Sequence, residues 1–119
     1  MKRSASLSLI GLALLAFTQA AWSHAKPTQR TPAADAVVAA PSEVSIAFSE
    51  TLEPALSSIT VDAADGRAVS AAPAAVDARD GKRLRVKLPA LVPGRYTVKW
   101  VAVAVDGHRT EGHYAFTVK

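Results

Sequence analysis

An all-β fold, a small antiparallel Greek-key sandwich or barrel, is predicted by three features of this 119-residue chain. Apolar and polar residues alternate in several short runs, Gly, Pro and Asp punctuate those runs, and no segment carries the 3.6-residue apolar period of an amphipathic helix. Such a pattern buries one face of each strand against a second sheet.

The N-terminal segment stands apart from that pattern. Lys2 and Arg3 precede an apolar stretch from Leu7 to Phe17, and small residues at Ala21 and Ser23 close it, which reads as a secretory signal peptide over residues 1–23, removed on export. The stretch is too short to span a bilayer. Cleavage leaves residues 24–119, enough for one domain with a single core but not for two. No later segment is long and apolar enough to be transmembrane, so the processed chain is expected to be soluble rather than membrane-embedded.

The mature part then unfolds in order. Thr31-Pro32-Ala33 leads into Ala33 to Ala40, where a helical turn is limited by Pro32 and Pro41 and a loop or edge strand is an equal reading. Val44, Ile46 and Phe48 alternate with Glu43, Ser45, Ala47 and Ser49 as a half-buried strand beginning after Pro41. Ser58 to Ala63 forms the next strand and meets Asp65-Gly66, while Asp80-Gly81 precedes the strand Leu84 to Leu88; both dipeptides are hairpin signals. Ala68 to Ala75 reads as a connecting loop.

Thr97 to Val105 carries apolar residues on both faces, with Tyr96, Val98 and Trp100 on one side and Val101, Val103 and Val105 on the other, as a central strand does. Its entry, Leu91-Val92-Pro93-Gly94-Arg95-Tyr96, has the form of a tyrosine corner, which ties strand to loop in immunoglobulin-like sandwiches. Gly107 and Gly112 bracket a turn, and Tyr114, Phe116 and Val118 face the core from the last strand. Tyr96 and Trp100 read as aromatic core, and His113, out of phase with Tyr114 and Phe116, as an exposed histidine.

Composition narrows the chemistry. The formal charge is +4, of which Lys2 and Arg3 supply two, and the rest is spread along the chain. Arg79, Lys82, Arg83, Arg85 and Lys87 read as a solvated strand face, and no basic run is interleaved with aromatics, which argues against a nucleic-acid partner. There is no cysteine, so packing must stabilise the domain and no thiolate is on offer to a metal.

Processing after Ser23 makes His24 the first residue, able to chelate one metal through its α-amine and imidazole Nδ1. Asp106 and His108, two apart where Gly107 permits a tight turn at the end of the long strand, supply a carboxylate and a second imidazole, and residues two apart in an extended segment point the same way. Three nitrogens and one oxygen suit one tetragonal Cu(II) per chain better than Ca²⁺ or Mg²⁺. Zinc accepts the same donors in tetrahedral form, and the affinity order for nitrogen ligands favours copper. Glu50 continues the parity of Val44, Ile46 and Phe48; it reads either as a carboxylate orienting a ligand by hydrogen bonding or as a surface residue before Pro54.

These residues resemble the CopC family of periplasmic copper-binding proteins over essentially the whole mature chain. The matching pieces are His24-Ala25, Thr31-Pro32-Ala33, Val44 to Glu50, Pro93 to Val98 with Trp100, Val105 to His108, and Gly112 with Ala115 to Val118. The resemblance implies an immunoglobulin-like or cupredoxin-like fold binding Cu(II) through His24, Asp106 and His108, with Glu50 as the neighbouring acidic residue that supports a ligand. It also implies a periplasmic chaperone or buffer in copper homeostasis or resistance, supplying an inner-membrane importer of the CopD type. Some family members carry a methionine-rich Cu(I) stretch; here Met1 is the only methionine and leaves with the leader.

No enzymatic activity is expected. A histidine-brace copper mono-oxygenase is the enzyme alternative, disfavoured because Asp106 would occupy a position oxygen chemistry needs open. A metal-free interaction module is the third reading.

Overall fold

The computed structural model describes residues 24–119, and the signal segment expected over residues 1–23 lies outside them. Eight strands follow one another: β1 Pro27–Thr31, β2 Val37–Val38, β3 Glu43–Phe48, β4 Ser58–Ala63, β5 Ala75–Asp77, β6 Asp80–Lys87, β7 Gly94–Val103 and β8 Arg109–Val118. They form two four-stranded sheets, β1-β3-β6-β5 and β2-β8-β7-β4, packed face to face. A single 3-10 turn, Pro54–Leu56, precedes β4.

The alternation read in the sequence decides what is buried. Val44, Ile46 and Phe48 of β3, Leu84 and Val86 of β6, Val98 and Trp100 of β7, and Phe116 and Val118 of β8 meet between the sheets. Strand β7 is central, flanked by β4 and β8, but its outer face is mixed, with Lys99 exposed and Val103 buried, and the strand ends at Val103, so that Val105, expected on that face, lies beyond it and is 60 % exposed. The tyrosine corner is present, with the Tyr96 hydroxyl donating to the Val92 carbonyl at 2.7 Å. The Tyr96 and Phe116 rings stack with centroids 5.6 Å apart.

Three local expectations are corrected. The hairpin between β5 and β6 turns at Ala78-Arg79, not at Asp80-Gly81, because Asp77 pairs with Asp80 and its Oδ1 accepts the Arg79 amide at 2.8 Å; Gly81 lies within β6. The Asp65-Gly66 turn is where it was expected, with Gly66 at φ +87°. Between Pro32 and Pro41, where loop and edge strand were equal readings, a turn at Ala34-Asp35 leads into the two-residue edge strand Val37–Val38, and the departure lies in its direction: it pairs parallel to β8, the one exception to antiparallel pairing among the described strands. No hairpin links β2 to β8, so loop geometry does not impose the antiparallel direction. Finally, Ser45 is buried on the outward side of β3 because Arg83 lies over it and donates to its hydroxyl at 2.9 Å.

Tyr114 is 7 % exposed, and its hydroxyl is buried with no hydrogen-bond partner among the described residues. Burial pushes its phenol up to about 12, partly offset by Arg30, whose guanidinium lies 5.5 Å from the ring centre. The neutral phenol is therefore favoured in the folded state. That stability is fully present below the unfolded value near 10 and drains away as pH rises from about 10 to 12. Tyr114→Phe removes an unsatisfied polar atom, and thermal melts should show it equal to or about 1 kcal/mol more stable than the parent at pH 7. It should also unfold less readily between pH 10 and 12; a loss of stability at pH 7 would mean that the hydroxyl does have a partner.

Among the described residues no helix is long and apolar enough to cross a membrane.

Candidate metal centre

One end of the sandwich gathers the start of β1, the bend after β3 and the turn joining β7 to β8. Ala25, fully buried, plugs the core at this end. Ser49 ties down the residues on either side of it: its hydroxyl donates to the His24 carbonyl at 3.3 Å and accepts the Lys26 amide at 3.0 Å, and its own amide donates to the Lys26 carbonyl at 2.9 Å. From the other sheet, the Thr110 hydroxyl donates to the Ala25 carbonyl at 2.7 Å. His24 is thereby fixed at the mouth of the sandwich, half-buried.

Asp106 and His108 are brought together by a turn, not by the side-chain parity of an extended strand. Strand β7 ends at Val103, Gly107 adopts φ +91°, and the turn closes through Gly107 amide to Ala104 carbonyl at 2.8 Å and Ala104 amide to His108 carbonyl at 2.9 Å. A residue with a side chain is strained at that φ, so glycine is what the turn requires. Asp106 then grips His108 twice: Oδ1 accepts the His108 amide at 3.0 Å, and Oδ2 lies 3.0 Å from Nδ1 of its ring.

The backbone amide of His108 is the main reason that the Asp106 carboxyl lies below the ordinary carboxylate range, followed by the His108 side chain and the nearby positive potential of the His108 and His24 rings. It is thus an ionised carboxylate at neutral pH. The His24 and His108 rings meet edge to face, with centroids 5.4 Å apart and planes at 79°. Two imidazoles and one carboxylate from opposite ends of the described residues therefore share one small region.

Glu50 lies in the bend before Pro54, one of its two expected placements, and not on an unbroken strand. Strand β3 ends at Phe48 and the chain bends at Ser49 and Glu50, so strand parity does not aim the carboxylate; Glu50 is half-buried next to the serine that holds His24. His113 is exposed on the outer side of β8, opposite Lys99 of β7 and away from this end. Trp100 is core, packed edge to face on Phe48 at 5.3 Å. Among the described residues no group of three or more His, Asp or Glu side chains is already arranged to hold a metal ion. The donor set nevertheless suits one: the carboxylate is charged, the rings are adjacent, and a further nitrogen arises at His24 if the bond after Ser23 is cut.

Ser49 and Thr110 were not singled out in the sequence. A signal for Thr110 existed, because it continues the inward parity of Gly112, Tyr114, Phe116 and Val118 yet carries a hydroxyl. For Ser49 there was none.

Residues 27–119 match the model of the CopC domain. The chain belongs to the CopC family. Protein YobA of Escherichia coli K12 is 40% identical over 119 residues, spanning 98% of this chain and 96% of that one. Among solved structures, CopC from Methylosinus trichosporium OB3b superposes with a TM-score of 0.75 at 36% identity, covering 81% of this chain and 94% of the other. PcoC from Escherichia coli, described as a methionine-rich copper resistance protein, gives a TM-score of 0.68 at 33% identity over 82% of this chain and all of that one. The likeness to these structures covers the two sheets of the sandwich.

Proposed function

We propose that the processed protein binds one Cu(II) ion at the open end of the sandwich and serves as a periplasmic copper chaperone or buffer in copper resistance or homeostasis. The ligands are the α-amine and imidazole of His24, the carboxylate of Asp106 and the imidazole of His108. The observation that carries this reading is the contact between the His24 and His108 rings, from the first and the last parts of the mature chain, beside an ionised Asp106.

Residues 1–23 act in this reading as the cleaved leader and 24–119 as the single metal-binding domain. Glu50, next to Ser49, supports the ligand His24 by hydrogen bonding rather than touching the metal. Kinship with copper resistance proteins supports copper as the cargo. Where PcoC is described as methionine-rich, this chain has a single methionine at position 1, which favours one Cu(II) site and no separate Cu(I) site. A membrane importer of the CopD type is the recipient that the family suggests.

Calorimetric titration of the exported protein with Cu(II) should show one equivalent bound tightly, with nitrogen donors in its electron paramagnetic resonance spectrum. Amine and imidazole must lose protons to bind, so affinity should fall as pH is lowered from 8 to 5. Cu(II) should also raise the melting temperature, and His108→Ala should abolish that rise. Zn(II) in the same titration should bind more weakly. A melting temperature unmoved by stoichiometric Cu(II) would overturn the proposal.

A further inference from the structure

We propose that Thr110 is a positioning residue for the ligand His24, an inference that rests on the copper reading above. Its hydroxyl occupies an inward position of β8 opposite the fully buried Ala102, where an aliphatic side chain would otherwise suit the core. What it finds there is the carbonyl of Ala25, at 2.7 Å. That bond spans nearly the whole mature sequence and joins the residue after His24 to the strand that starts immediately after His108.

The two anchors of the first residues come from different sheets. Ser49, just beyond β3, holds the carbonyl of His24 and the amide of Lys26. Thr110, on β8, holds the carbonyl between them. The first is coupled to the turn that presents Asp106 and His108 only through the bond from the Val105 amide to the Thr51 carbonyl and its neighbours, whereas the second ties the first residues directly to the strand leaving that turn. A metal chelated by groups on both segments needs the distance between them set to within a fraction of an ångström before the ion arrives.

Without the hydroxyl the Ala25 carbonyl would be buried and unsatisfied, a cost relieved when residues 24–26 lift away from β8. The fraction of molecules ready to bind then falls, and apparent affinity falls with it. Thr110 does not touch the ion, so the donor atoms stay the same.

The experiment compares the exported protein, beginning at His24, with Thr110→Val, which keeps shape and strand preference, and with Thr110→Ser, which keeps the hydroxyl. Cu(II) affinity is read by competition with a chromophoric chelator, the donor set by electron paramagnetic resonance, and anchoring of the terminus by hydrogen exchange of the Lys26 amide without metal. Thr110→Val should bind Cu(II) about tenfold more weakly with an unchanged spectrum and faster Lys26 exchange, and Thr110→Ser should restore both. Parental affinity and exchange in Thr110→Val overturn the inference while leaving the copper reading intact, as does an altered donor set or failed rescue by serine. If the parent itself binds no Cu(II), the copper reading fails, and unchanged Lys26 exchange in Thr110→Val would then remove the anchor as well. Should Thr110→Val not fold, Thr110→Ala supplies the same comparison.

Discussion

A protein that begins one residue ahead of His24, with alanine at the added position, will bind Cu(II) at least about a hundredfold more weakly than the protein beginning at His24. On the proposed ligand set, the added peptide bond converts a basic amine into an amide and destroys the chelate ring that amine and imidazole would form on one metal. Loss of a group that merely orients a ligand already costs ten- to a hundredfold in affinity, and here a donor itself is removed. The fold should not suffer. Ala25 stays plugged into the core, and the bonds from Ser49 and Thr110 lie downstream of the change. Melting temperatures without metal should therefore coincide, and competition for Cu(II) against a chelator at one fixed pH should separate the two proteins. Equal affinities would strike the amine from the ligand set.

Gly112→Ala is the substitution expected to damage the fold most for its size. A methyl at this position would lie 2.6 Å from Cζ2, 2.9 Å from Cε2 and 3.1 Å from Nε1 of Trp100. All three atoms belong to a rigid ring that is itself 7 % exposed and wedged against Phe48, so the overlap cannot be relieved by swinging a flexible chain end. Overpacking of this kind costs about 1 to 3 kcal/mol, somewhat offset by the better strand preference of alanine. For a domain of this length, about 2 kcal/mol corresponds to a fall of roughly 10 °C in melting temperature. Adding Trp100→Phe to Gly112→Ala should recover part of the loss, because the smaller ring vacates the contested volume. A double-mutant cycle with no coupling between positions 100 and 112 would refute this account.

Much of this architecture was legible in the residues. Strands β3, β6, β7 and β8 alternate strongly, and their inward residues are the core. The tyrosine corner was readable from Leu91 to Tyr96, because that hydrogen bond is local and its residue types are restrictive. What was not legible depends on partners far away in sequence. The parallel pairing of Val37-Val38 is set by where the chain crosses between sheets, which a two-residue strand cannot announce. The Asp80-Gly81 dipeptide misled because Asp77, three residues earlier, captures the turn through its own carboxylate.

The candidate site divides in the same way. His24, Asp106 and His108 were visible as unusual chemistry at unusual places, and the fold brings the two rings together with the carboxylate against His108. The tight turn at Gly107 was readable from the glycine, whereas the part played by the Asp106 side chain, which accepts the His108 amide and so aligns the pair, was not. Glu50 escaped the parity argument because β3 ends two residues before it.

In the proposed site, an ion clasped between His24 and His108 would fasten the first described residues to the turn that precedes the last strand. A chain whose later residues had not yet followed would offer only half of that clasp. Loading would then wait for the whole domain, and a copper-bearing molecule would be one already folded and closed.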